Sequence, residues 1–258
     1  MPTAPINGIQ LYYEVYGEGP SSIVFCHGAA GNHLVWFQQI PFFRKRYKCI
    51  TFDHRNFSLS PDVPGGPGVA SFVDDLRALL DYLGIEKTAI VAQSMAGRTG
   101  FGFAMTYPQR TQALVMSSTV QGIPSASLRS MVAKHRNQHT DEGDTDGNYS
   151  IYFKERNPSL EFLYREFTAL NHGYGKSQLR ATSPPERPDT DIAKVTSPVL
   201  FLFGTEDTGI PPEIRRFAHS LVPGSQFVEV EKSGHSVYFE RPDEFNRIVA
   251  EWLEKVGV

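Results

Sequence analysis

Ala92-Gln93-Ser94-Met95-Ala96-Gly97 is the stretch on which the fold turns. The residues before Gln93, Ala89-Ile-Val-Ala92, make an unbroken apolar run of strand length, and those after it open a helix. A serine on so tight a strand-to-helix turn is lifted above the sheet, and side chains larger than alanine at 92 and 96 would strike neighbouring backbone. A serine that merely caps a helix would account for Ser94, but not for the small residues two before and two after it. Alanines stand where glycines are usual. Gly97, Gly100, Gly102 and Ala104 then let the helix lie close to the strands.

Similar runs lie on either side. Ile23-Val-Phe-Cys26 ends at His27-Gly28, Cys49-Ile-Thr-Phe52 at Asp53, Ala113-Leu-Val-Met116 at Ser117-Ser118, and Val199-Leu-Phe-Leu-Phe203 at Gly204. They are apolar throughout rather than alternating, which predicts parallel strands covered on both faces by helices. Phe72, Val73, Leu76, Leu79, Leu80 and Leu83 form one helical stripe, with Ser71 expected as its N-cap and Gly84 as its stop. A last helix begins at Pro242 and carries Phe245, Ile248, Val249, Trp252, Leu253 and Val256 on one face. Residues 6–16 read as an antiparallel hairpin turning at Asn7-Gly8. The expectation is one α/β core domain from residues 1–121 and 194–258. Residues 122–193 break the rhythm, with no strong strand and helix-like pieces at 128–138 and 160–170. They are expected to form a helical cap or lid.

Of the 258 residues, 40% are hydrophobic and 21% charged, enough for a substantial core and unlike a fibrous or disordered chain. Lys and Arg total 25 against 28 Asp and Glu, a net charge of −3 that gives no electrostatic case for a nucleic-acid partner. No segment approaches the ~20 apolar residues that span a bilayer, so no membrane partner is expected. The opening Met1-Pro-Thr-Ala-Pro-Ile-Asn-Gly lacks a basic, then apolar, leader, and the expected location is cytoplasmic. Cys26 and Cys49 are too few for a disulfide framework and are read as buried, reduced thiols.

Open parallel sheets place their ligands at the carboxyl edge, so the strand ends carry the chemistry. A serine hydroxyl needs a base. His235, in Ser233-Gly234-His235-Ser236, lies in a loop after the strand-like Phe227-Val-Glu-Val230. A third group must fix its tautomer, and Gly204-Thr-Glu-Asp207-Thr-Gly-Ile-Pro offers Asp207, with Glu206 as its neighbouring competitor. Serine, acid, histidine is the order expected on such a sheet. Ser117-Ser118-Thr119 holds no carboxylate, which removes the other common position for the acid. The developing oxyanion needs amide donors, expected from Met95 and from Ala29 in His27-Gly28-Ala29-Ala30-Gly31; losing one donor costs ~3 kcal/mol. His27 is read as structural, its ring holding that loop.

Taken in order, Asn7-Gly8, His27-Gly28, Asp53-His-Arg55, the turn at Ser94, and Asp207 with His235 resemble the α/β-hydrolase superfamily over essentially the whole chain. The resemblance implies the α/β-hydrolase fold, a mostly parallel central sheet with helices on both faces and a helical cap insertion. It also implies serine-hydrolase chemistry without a cofactor, and Asp207 rather than Glu206 as the acid. One departure is notable: in Asp53-His-Arg55-Asn56-Phe57-Ser58, Asn56 and Ser58 stand where the family commonly has glycine and must adopt glycine-like angles. A serine at the turn argues against the related epoxide hydrolases and haloalkane dehalogenases, which use aspartate there.

The resemblance implies a small, largely apolar ester or lactone as substrate, with oligomeric state open. Val120, Ile123, Phe162, Phe167 and Val237 are the expected pocket residues, while most of the cap aromatics Tyr152, Phe153, Phe162, Tyr164 and Phe167 are expected to pack the cap onto the main domain. Two alternatives are carbon–carbon hydrolysis of ring-fission diketones and a non-catalytic receptor that keeps the three residues. Relatives of the first kind carry Asn before the nucleophile and Trp after the histidine, where this chain has Gln93 and Ser236. No metal is expected: His135 and His139 lack a third ligand, and the acidic run Glu142, Asp144, Asp146 ends on Phe153 where a calcium loop needs Glu. Gly175-Lys176-Ser177 lacks the earlier glycine of a phosphate loop.

Overall fold

The computed structural model describes residues 1–138, 149–171 and 185–258. Its strands are β1 (Thr3–Ile6), β2 (Ile9–Tyr16), β3 (Ser22–Cys26), β4 (Lys48–Phe52), β5 (Thr88–Gln93), β6 (Thr111–Ser117), β7 (Val199–Gly204) and β8 (Gln226–Val230). They form one sheet in the order β1-β2-β4-β3-β5-β6-β7-β8. The pairings of β2 with β1 and with β4 are antiparallel, and from β4 to β8 every pairing is parallel. Every residue of β3, β5 and β7 is buried, the physical counterpart of their unbroken apolar sequence. The hairpin turn has Asn7 at φ 45° and Gly8 at φ 82°, the pair of left-handed residues a tight two-residue loop requires.

Because strand side chains alternate, the sheet feeds two separate cores. Val24, Cys26, Ile90 and Ala92 meet helices α2 (Phe72–Tyr82), α3 (Gly97–Thr106) and α8 (Pro212–Ser220) on one face. Ile23, Phe25, Ala89 and Val91 meet Trp36, α1 (Ile40–Phe43) and α10 (Pro242–Lys255) on the other. At Gly100 an added Cβ would lie 2.8 Å from both Ala92 Cβ and Leu114 Cδ1, so α3 rests directly on β5 and β6. Ser71 differs from expectation. A 3₁₀ turn, Gly68–Ser71, leads straight into α2, which leaves Ser71 in helical geometry with no side-chain cap. Gly84, at φ 66°, ends the segment as expected.

Between β6 and β7 lie α4 (Ala126–Gln138), α5 (Ile151–Arg156), α6 (Pro158–Ala169) and α7 (Asp189–Ile192). Tyr164, with Leu160 and Phe167 beside it, packs α6 against the main core. His139, the acidic positions 142–146 and positions 175–177 lie outside the described residues. Cys26 and Cys49 are free and buried, and burial pushes the Cys49 thiol up to about 12.

A buried ion cluster ties the hairpin to α2. Arg55, 1% exposed, donates to both carboxylate oxygens of Asp75 at 2.8 Å, to Asp62 at 2.9 Å and to the Asn7 carbonyl at 3.0 Å. Removing one member of such a pair strands the other charge. Asp75→Ala is expected to cost about 3–5 kcal/mol in urea unfolding; a loss of about 1 kcal/mol or less, as for an exposed pair, would contradict this.

Candidate active site

Ser94 sits at φ 51°, in the left-handed region that non-glycine residues seldom occupy. The strain is held by packing. An added Cβ on Gly28 would lie 1.9 Å from Gln93 Oε1 and 3.0 Å from Ser94 Cβ, so the His27-Gly28-Ala29 loop presses directly on the elbow. Met95 packs with Phe57 and Phe72 in a small cluster that Ala29 also joins, bringing the two expected oxyanion residues together. His27 is fully buried. Its Nδ1 lies 2.8 Å from the Gly28 carbonyl and its Nε2 accepts the His54 amide at 2.9 Å, an arrangement that fixes a neutral ring. Burial lowers its pKa to about 4. Asn56 and Ser58 adopt φ 68° and φ 40°, the glycine-like angles their positions require.

His235 Nε2 lies 2.8 Å from Ser94 Oγ, and its Nδ1 lies 2.9 Å from Asp207 Oδ2. Glu206 is exposed while Asp207 is 3% exposed, which separates the two neighbouring carboxylates. The other Asp207 oxygen accepts the Gly209 amide at 3.0 Å. Burial alone would lower the His235 pKa, but the attraction and hydrogen bond of Asp207, with Glu240 behind them, raise it above 6.5. Sequence reasoning missed Arg215, which is buried and donates to the carbonyls of Gly204 (2.9 Å), Asp207 and Ile210. It holds the acid loop by its backbone.

Glu240, in α9 (Val237–Glu240), was missed as well. It accepts the Ser150 amide (3.0 Å) and hydroxyl (2.7 Å), the Gly234 amide (3.0 Å) and the Ser236 amide (3.3 Å). One buried carboxylate therefore clamps both sides of His235 and ties them to the N-cap of α5. Burial pushes the Glu240 carboxyl up, against the pull of these bonds. Gln93 adds a further link, its amide lying 3.4 Å from the His235 carbonyl. Its length lets it reach across the edge of the sheet. Glu240→Gln removes a charge that favours the imidazolium. The acid limb of a kcat/KM profile should move to lower pH and kcat should fall severalfold; a limb that stays in place would make Glu240 purely structural.

Of the expected pocket residues, Val120 and Ile123 line a cavity at the carboxyl edge beside α3 and α4. Phe162 is 63% exposed, because it projects about two positions away from the Leu160–Tyr164–Phe167 face of α6. Phe167 makes an edge contact with Phe37, and Val237 is fully buried in the core. Among the described residues no group of His, Cys, Asp and Glu is placed to hold a metal, and no helix is long and apolar enough to cross a membrane.

Comparison with known proteins agrees with this architecture. The chain is 26% identical to a putative 2-succinyl-6-hydroxy-2,4-cyclohexadiene-1-carboxylate synthase of Bacillus subtilis (strain 168), covering 95% of each chain. It is 23% identical to 2-hydroxy-6-oxononadienedioate/2-hydroxy-6-oxononatrienedioate hydrolase 2 of Pseudomonas putida, over 95% of this chain and 92% of that one. A thermophilic esterase from Thermogutta terrifontis superimposes with a TM-score of 0.81 at 25% identity, covering 99% of this chain and 97% of that one. A family profile described as TAP-like protein matches residues 172–257. The profile of the alpha/beta hydrolase fold matches residues 21–170, more than half of the sequence, and with the sheet order and the turn at Ser94 it establishes that this chain belongs to the alpha/beta hydrolase fold family.

Proposed function

We propose that this chain is a serine hydrolase that cleaves a carboxylic ester or lactone of a small substrate through an acyl-enzyme. The general hydrolase role has support from the family and from relatives named as hydrolases and an esterase. The observation that carries the finer reading is the unbroken relay from Ser94 Oγ to His235 (2.8 Å) and on to Asp207 (2.9 Å). Ser94 Oγ attacks the carbonyl carbon as His235 Nε2 takes its proton. Asp207 keeps the other ring proton on Nδ1 and stabilises the imidazolium. The Ala29 and Met95 amides hold the oxyanion. His235 then gives its proton to the departing alcohol, and in the second half takes one from water, which releases the acid and frees Ser94. The helices between β6 and β7 act as the cap that selects the substrate.

Pre-steady-state hydrolysis of p-nitrophenyl butyrate tests this. A burst of p-nitrophenol equal to the enzyme present is expected; turnover of the same size after Ser94→Ala would refute it. The Pseudomonas putida relative, named for dienedioate hydrolysis, supports carbon–carbon cleavage as a second reading. Turnover of a coloured ring-fission dienoate with none of esters would favour that reading.

A further inference from the structure

A cavity of about 100 Å³ opens at the carboxyl edge of the sheet, beside the elbow. Its floor is apolar, built from Val120 and Ile123 after β6 and Leu128 on α4. Its walls carry three guanidinium side chains, Arg98 on α3 and Arg129 and Arg136 on α4, and among the described residues no carboxylate lines it. Two contacts fix its place relative to the reacting groups. An added Cβ on Gly122, another wall residue, would lie 2.3 Å from the Gly97 carbonyl oxygen and 2.8 Å from Arg98 Cα. The wall therefore rests on the first turn of α3, four residues from Ser94. At its far end α4 reaches the acid loop, where His135 Nε2 lies 3.3 Å from the Thr208 carbonyl, one residue past Asp207. The cavity therefore lies beside the first turn of α3, and α4, which forms one of its walls, also reaches the acid loop.

The chemistry of that wall is selective. Arg98 Nε donates at 2.9 Å to Oε1 of Gln121, itself a wall residue, and Arg129 reaches Glu186 at 3.2 Å across a half-exposed pair, so both guanidiniums are held in place by protein partners. Guanidinium stays charged at every working pH and presents a planar fork that matches a carboxylate. A short methylene chain suits the apolar floor beneath it.

We propose that this cavity receives a carboxylate at the far end of the substrate's acyl chain, so that half-esters of short dicarboxylic acids are the substrate class. The acyl group is the part that stays bonded to Ser94, and Arg98 lies one helical turn further on. The proposal rests on the reading of Ser94 as nucleophile, and the test separates the two. Mono-p-nitrophenyl glutarate is compared with p-nitrophenyl butyrate on wild type, Arg98→Gln, Arg136→Gln and Ser94→Ala, and glutarate binding to the same proteins is measured by calorimetry.

The wild type is expected to favour the half-ester in kcat/KM by about tenfold or more, the worth of one charged hydrogen bond, and the ratio to fall towards parity in each arginine variant. Neutral ester hydrolysed as well as half-ester by the wild type, or both lowered in proportion by the arginine variants, would overturn the proposal. Undiminished turnover by Ser94→Ala would overturn the nucleophile reading instead. If neither ester is turned over, saturable glutarate binding that weakens in the arginine variants supports the carboxylate site, and absence of binding at millimolar glutarate overturns it.

Discussion

Ser94→Ala is expected to lower kcat on p-nitrophenyl butyrate by about 10⁶-fold, and His235→Ala by about as much. The two effects should not add. Without the hydroxyl there is nothing for the imidazole to deprotonate, and without the imidazole the hydroxyl keeps its proton at neutral pH. The double variant should therefore retain about the same residual rate as either single one. On the proposed mechanism that residue of activity comes from the Ala29 and Met95 amides and from binding, which would still favour the transition state for attack by water. Initial rates on freshly purified proteins, with near-ultraviolet circular dichroism as a check on folding, make the measurement. A Ser94→Ala rate within about tenfold of wild type would mean that the barrier is lowered elsewhere.

Asp207→Asn is expected to cost about 10⁴-fold in kcat with little change in stability. The carboxylate accepts from His235 Nδ1 at 2.9 Å, which leaves Nε2 as the acceptor facing Ser94 at 2.8 Å. An amide at 207 can turn its NH₂ towards the ring instead. The proton then moves to Nε2, and the imidazole presents a donor where the serine proton must go. Arg215 continues to hold the loop by the Asp207 carbonyl, so the fold is preserved. The same substitution removes the charge that raises the His235 pKa, so any surviving acid limb should lie at lower pH than in wild type. An Asp207→Asn enzyme with nearly full kcat would show that the ring is oriented by another group, the buried Glu240 being one candidate.

The parts of this protein that were legible in the sequence are those where backbone and burial leave few choices. Apolar runs covered on both faces become β3, β5 and β7 because no other element buries every residue in so short a length. The small residues around Ser94 announce the elbow because the chain closes in on it, Gly100 of α3 lying against Ala92 and Gly28 against Gln93 and Ser94. Glu240 was not legible. It is one acidic residue on a short helix, and its meaning comes from Ser150, 90 positions earlier in the chain. Arg215 was hidden in the same way, since its partners are mostly backbone carbonyls that leave no trace in side-chain pattern. The placement of the cap phenylalanines was least legible. Phe162 and Phe167 are alike in sequence, and only the rotation of α6 sends one to solvent and the other against Phe37. Ser71 shows the limit of capping rules: the 3₁₀ turn before it continues smoothly into α2, so no orphan amide awaits its hydroxyl.

A labelled fluorophosphonate, followed by peptide mapping of the modified protein, addresses the nucleophile itself rather than any particular substrate. The expected result is a single adduct on Ser94, forming more slowly as pH falls through the raised His235 pKa and not forming in His235→Ala. An unmodified Ser94, or an adduct on a different residue, in a preparation that still hydrolyses esters would contradict the account.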